Sequence, residues 1–151
     1  MDIHRRSIGS RLLAAFAAGA VTFRGTAPAA AAAEDVQRVV YHLDEVQKVH
    51  FVLANMLNHV TGMGGPDKVS LALVVHGPAL EYFSKMQSDG TLEDRVQSLI
   101  DSHTTLVACG NTMRAGKLTL ADLVPGFVVA EEGGVVRIAK LQAAGYLYIR
   151  P

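Results

Sequence analysis

Val69-Ser70-Leu71-Ala72-Leu73-Val74-Val75-His76-Gly77-Pro78 decides the fold. From Val69 to Val75 only Ser70 is polar, and Gly77-Pro78 breaks the chain directly afterwards. A strand with one wet face alternates apolar and polar residues. A run that does not alternate fits a central parallel strand covered on both faces. Parallel neighbours need helical crossovers, and the flanking sequence supplies them.

Upstream, Val36 to Leu43 is rich in β-branched and aromatic residues and reads as the first strand. Asp44 is placed to cap the next helix, in which Val46, Val49, Leu53, Met56, Leu57 and Val60 recur at three- and four-residue spacing. Gly62-Met63-Gly64-Gly65-Pro66 ends it. Downstream, Ala79 to Met86 reads as a short helix, and Thr91-Leu92-Glu93-Asp94 as a capping box with Leu92, Val96, Leu99 and Ile100 inward. Thr104 to Ala108 is the third strand, ending at Cys109. Helical pieces follow at Asn111 to Ala115 and Thr119 to Leu123, then a strand at Phe127 to Ala130. A helix from Gly134 to Ala144, stopped by Gly145, leads to a last strand at Tyr146 to Ile149. Five alternations of strand and helix predict an α/β fold, three-layer α/β/α, with a mainly parallel five-stranded sheet in a flavodoxin-like arrangement.

Residues 1–33 read as an export signal outside that domain. Arg5-Arg6 precedes an apolar stretch from Leu12 to Phe23, and an alanine-rich run ends at Ala33. The arginine pair before a mild apolar region suggests the twin-arginine route, although Ile8 stands where that route usually has phenylalanine. Cleavage after Ala29, Ala31 or Ala33 leaves one domain, residues 34–151, in the periplasm. The apolar stretch is too short to span a bilayer. The whole chain carries 14 acidic and 14 basic residues. The leader holds four arginines against Asp2, so the remainder is weakly acidic. That excludes a basic footprint for nucleic acid or anionic lipid. No Ser/Pro-rich linker or internal repeat divides it.

In parallel sheets the working crevice lies beyond the carboxyl ends of the strands. The residues there are His42-Leu43-Asp44, His76-Gly77-Pro78 and Cys109-Gly110-Asn111. Cys109 is the only cysteine in the sequence and has no internal disulfide partner. At a strand end facing a helix N-terminus it is expected to be partly exposed, in a field that favours thiolate. Gly110 admits close backbone approach, Asn111 or Thr112 is a candidate cap, and Arg114 is a candidate positive neighbour. His76 is a candidate polar partner or proton shuttle, and His42 a second one. Each has a plainer alternative: Cys109 as a buried small hydrophobe, and the histidines as groups satisfied by backbone. His50, His59 and His103 read as surface residues. His42, His76 and Cys109 have ligand types that suit zinc or copper, but no CxxC or HExxH spacing supports a metal site, and none is assigned. GxGxxG, GxxxxGK[ST] and GxSxG are absent, and the sequence calls for no cofactor.

Val39-Val40-Tyr41-His42-Leu43, Val74-Val75-His76-Gly77-Pro78, Ala108-Cys109-Gly110-Asn111-Thr112-Met113, and Leu141-Gln142 with Gly145-Tyr146 and Tyr148-Ile149 resemble the DsrE-like family. The likeness is closest to its exported single-domain branch and runs from about Val36 to Pro151. Cys-Gly-Asn-Thr is its most specific element. The resemblance implies a three-layer α/β/α fold and a homo-oligomer, trimer or hexamer. It also implies a cysteine that takes sulfane sulfur as persulfide from a donor and passes it to an acceptor protein. That role falls on Cys109, with His76 as pocket neighbour. The best-understood members are cytoplasmic, so export of this chain leaves its donor and acceptor open. Two other functions stay open at this point: a non-catalytic oligomeric binding protein with a structural cysteine, and a metal-binding module.

Overall fold

The computed structural model describes residues 36–151; the export-signal reading of residues 1–33 lies outside them. Five strands form one sheet: β1 (Gln37–Leu43), β2 (Val69–Val75), β3 (Thr105–Cys109), β4 (Phe127–Ala130) and β5 (Leu147–Ile149). Their order is β4-β3-β2-β1-β5, and every pair is parallel. The helices are α1 (Val49–Gly62), α2 (Pro78–Tyr82), α3 (Gly90–Asp101), α4 (Gly110–Gly116) and α5 (Gly134–Ala143). The α/β, flavodoxin-like arrangement expected from the strand pattern is therefore the one observed.

From β1 to β4 each crossover steps to the next strand in one direction. A right-handed connection then places every crossover on the same face. Val39, Tyr41, Leu71, Leu73, Val75, Leu106 and Ala108 accordingly form one core with residues of α1, α2, α3 and α4. The step from β4 to β5 reverses direction across the sheet, and its helix, α5, lies on the opposite face. There Val40, Ala72, Val74, Val107 and Ala130 pack with Ile138 and Leu141 in a smaller second core. The layers are unequal: among the described residues one helix covers the second face.

Strand parity carries this division to the sheet edge. Side chains alternate faces along a strand. His42 follows Val40, His76 follows Val74 and Cys109 follows Val107, all on the α5 side. The β1–β2 ladder runs one residue further, because His76 N–H donates to Leu43 O at 3.0 Å. All three residues thus emerge on one face at the carboxyl edge, where the start of α5 lies against Cys109 and His76.

Several local expectations are corrected. The helix expected over Ala79 to Met86 ends at Tyr82. Beyond it the chain pairs elsewhere: Val124 N–H donates to Phe83 O at 2.9 Å, and Ser84 bridges Leu123. The cap of α3 is Asp89, not Thr91; its carboxylate accepts from Leu92 N–H at 2.7 Å. Asp44 caps no helix, since the chain enters α1 through a 3-10 turn at Val46–Lys48 with no side-chain cap. The piece at Thr119 to Leu123 is a 3-10 turn, Leu120–Asp122, closed by a capping box between Thr119 and Asp122. β5 begins at Leu147, one residue later than the pattern predicts.

Thr104, at the entry to β3, is 7% exposed, and its Oγ1 is buried without a hydrogen-bond partner. An unpaired buried hydroxyl costs about 1–3 kcal/mol. Thr104→Val keeps the shape and removes the polar atom. It is expected to raise the unfolding free energy by about 1 kcal/mol in urea titrations; a loss of stability would show that the hydroxyl is solvated in the native state.

Candidate functional site

Cys109 closes β3 and stands at the N-terminal boundary of α4. It is 5% exposed, so the expectation of a partly exposed thiol is corrected: the start of α5 lies on it. Gly134 N–H donates to Sγ at 3.1 Å. A Cβ on Gly134 would meet Cys109 Cβ at 3.3 Å, His76 Cβ at 3.4 Å and Val74 Cγ1 at 3.4 Å. A glycine there lets the amide approach the sulfur without crowding these neighbours. Gly110 plays a matching part below, where an added Cβ would lie 2.8 Å from Ala130 O.

Burial opposes ionisation of the thiol. Against it act the Thr112 and Gly134 N–H groups, the Thr112 hydroxyl and the Asn111 N–H. Their sum holds the Cys109 pKa below its ordinary value, because hydrogen bonds to the charged form favour it. The Thr112 oxygen accepts from Gly77 N–H at 2.9 Å, which leaves the hydroxyl proton to point at sulfur. Neither Asn111 nor Thr112 caps α4 with its side chain. Asn111 Oδ1 instead accepts from Arg114. Arg114 also reaches Glu131 Oε2 at 3.2 Å, so its charge is spent on the β4–α5 loop and not on the thiol.

Glu132 anchors the opening of α5. Its carboxylate accepts from Arg137 Nε at 2.9 Å and Lys140 Nζ at 3.2 Å. Those bonds, with its own backbone N–H, hold its pKa down from 4.5 to about 2. The anchoring is complete above the ordinary carboxylate range and is lost as pH falls through that lowered value.

The two histidines meet each other. His42 Nε2 and His76 Nε2 lie 2.5 Å apart, with ring centroids 4.7 Å apart and ring planes inclined at 28°. His42 Nδ1 pairs with Tyr148 OH at 2.7 Å. Burial, then the charge of His76, keeps the His42 pKa below its ordinary value, so the ring is neutral at pH 7. Backbone satisfaction, the plainer alternative for these rings, is not what their Nε2 atoms find. Asp44 stands beside the pair, both its carboxylate oxygens 2.9 Å from Arg150 Nη2. Tyr148, Asp44 and Arg150 were missed as neighbours; Asp44 and Arg150 share the strand parity of His42 and Tyr148, which was the available signal. His50 and His59 are half-buried, not surface residues: they meet Tyr82 OH at 3.2 Å and Tyr41 OH at 2.9 Å. His103 is exposed.

A cavity of about 250 Å³ opens beside Cys109, lined by His76, Asn111, Thr112, Glu132 and Gly133 to Val136. A larger hollow of about 550 Å³ lies between Glu81 and Asp122 and has no cysteine or histidine in its lining. Size alone therefore does not mark the site; the polarised thiol does.

No family model matches the chain, and no curated protein does. Solved structures do. One similar structure is MTH1491 of Methanobacterium thermoautotrophicum, a protein of unknown function: 27% identity, TM-score 0.66, covering 76% of this chain and 99% of that one. Another is the YchN protein of E. coli, a DsrE-like fold, at 12% identity and TM-score 0.57 with the same coverage. The fold is DsrE/YchN-like. This DsrE/YchN-like architecture sets Cys109 under α5 with His76 on the cavity wall.

The thiol geometry predicts a pH profile. Alkylation by iodoacetamide, rate against pH, is expected to plateau below the pH found for a free cysteine thiol. Thr112→Val removes one donor and moves the plateau to higher pH. A wild-type midpoint at or above the free value of about 8.5 contradicts the assignment.

Proposed function

We propose that the protein is a sulfur carrier that holds sulfane sulfur as a persulfide on Cys109. The observation that carries this reading is the thiol beneath the Gly134 amide, with Thr112 and Asn111 donors around it, beside a small cavity. The Cys109 thiolate attacks the outer sulfur of a donor persulfide, R–S–SH. A new S–S bond forms on Cys109 while the donor's S–S bond breaks. The electron pair leaves with R–S⁻, and the transferred sulfur keeps its proton. No net oxidation occurs. Transfer onward repeats the exchange, with an acceptor thiolate attacking the outer sulfur and Cys109 leaving as thiolate. A low thiol pKa makes it a good leaving group in that second step. The same N–H groups stabilise the thiolate before and after each step.

Val135 and Val136, 69% and 45% exposed, rim the cavity and supply an apolar contact for a donor or acceptor protein. Among the described residues no helix is long and apolar enough to cross a membrane. The proposal takes the protein as periplasmic after removal of residues 1–33, and as a homo-oligomer, trimer or hexamer.

One observation favours a second reading. At 5% exposure, Cys109 packs as a structural residue would. In that case the protein is a non-catalytic binding protein, native Cys109 resists alkylation, and Cys109→Ala lowers stability without touching any sulfur chemistry.

Incubation of the purified protein with inorganic polysulfide, followed by intact-mass spectrometry, separates the two. The carrier gains one or more sulfur atoms that excess thiol removes, and Cys109→Ser gains none. Normal alkylation by iodoacetamide with no sulfur adduct would overturn the carrier reading.

A further inference from the structure

We propose that His42, His76 and Asp44 form a binding site for a divalent transition-metal ion at the carboxyl edge of β1 and β2. One ligand atom from each lies within 4.8 Å of the other two. The Cys109 sulfur is not part of this group, so the site differs from the cysteine–histidine combination that the sequence suggests, and it stands independently of the persulfide reading.

The argument begins with proton counting. A neutral imidazole has one N–H and one lone pair. Two Nε2 atoms that face each other accommodate one proton between them, or one cation. When the His42 proton sits on Nδ1 and is donated to Tyr148 OH, Nε2 presents its lone pair. This is the usual state of a metal-bound histidine, whose other ring nitrogen donates to a neighbouring oxygen. With the His76 proton also on Nδ1, two lone pairs converge on one point. A divalent cation there removes their repulsion.

The distances suit the change. Metal–imidazole bonds of about 2.0–2.1 Å at a tetrahedral angle put the two nitrogens about 3.3 Å apart. From 2.5 Å the rings need to part by less than about 1 Å, which a small side-chain rotation supplies. Asp44 brings the third ligand and the one negative charge. The donor set of two imidazoles and a carboxylate suits zinc, copper(II) or nickel(II) better than magnesium or calcium.

Arg150 sets the affinity. Its Nη2 lies 2.9 Å from both Asp44 oxygens. Its charge repels a second cation and competes for the same oxygens. Removing it therefore tightens metal binding, an effect opposite to that of removing a ligand.

The test is isothermal titration of the untagged, metal-free protein with zinc chloride, repeated with nickel and magnesium. One zinc per chain is expected, with nickel competing and magnesium not. His42→Ala and His76→Ala each weaken binding at least tenfold, and Asp44→Asn several-fold. Arg150→Gln tightens it several-fold, and Cys109→Ser leaves the stoichiometry at one. Circular dichroism checks that each variant is folded. Absence of zinc binding to the wild type overturns the proposal outright. Binding that vanishes in Cys109→Ser, or that the folded double variant His42→Ala/His76→Ala retains, overturns it as well. Weaker binding in Arg150→Gln would do the same, because it would place the carboxylate outside the metal's reach.

Discussion

The contact on which the site depends is that between the Gly134 amide and the Cys109 sulfur. It requires α5 to begin on top of the β3 carboxyl end, with no side chain in between. A methyl at Gly134 would crowd Cys109 at 3.3 Å and come into contact with His76 and Val74 at 3.4 Å. The tight approach buries the thiol, which by itself disfavours the thiolate. The same approach delivers an N–H that favours it, with the start of the α5 dipole behind it. The balance still holds the thiol pKa below its ordinary value, because Thr112 and Asn111 add their own donors. Burial and activation here come from one structural cause.

Topology explains why the contact exists at all. Four strands laid down in one direction send their crossovers to one face. Only the return from β4 to β5 crosses the other face, and α5 begins that return. Among the described residues the reversal leaves the second face with a single helix, whose first turn lies over β3 and β2. The polar residues that parity assigns to this face collect at the edge. They cannot be absorbed by a large apolar core, because the core on this side is small. The Glu132 carboxylate, tied to Arg137 and Lys140 one and two turns into α5, fixes where the helix starts.

Much of this was legible in the sequence. The unbroken apolar run at Val69 to Val75 implied a central parallel strand, and the placement of Cys109, His76 and His42 past strand ends followed from it. What was not legible came from contacts remote in sequence. Asp44 read as a helix cap because capping is a local rule; Arg150, more than a hundred residues away, takes its carboxylate instead. Arg114 read as a neighbour of the thiol because it is one turn away, but the Glu131 carboxylate attracts it more strongly. Gly134 gave the weakest signal and holds the most important place. A glycine at a helix start is ordinary, and only the fold shows what its missing side chain allows.

The carboxyl edge is thus divided into two chemical halves. On the β3 side, N–H donors converge on a sulfur and favour negative charge. On the β1 side, two imidazoles, one kept neutral by burial, face each other beside a carboxylate paired with arginine. His76 belongs to both: its ring meets His42, and it lines the cavity of Cys109. A cation bound by the imidazole pair would therefore touch a residue that also lines the thiol cavity. Positive charge near a thiolate lowers its pKa further.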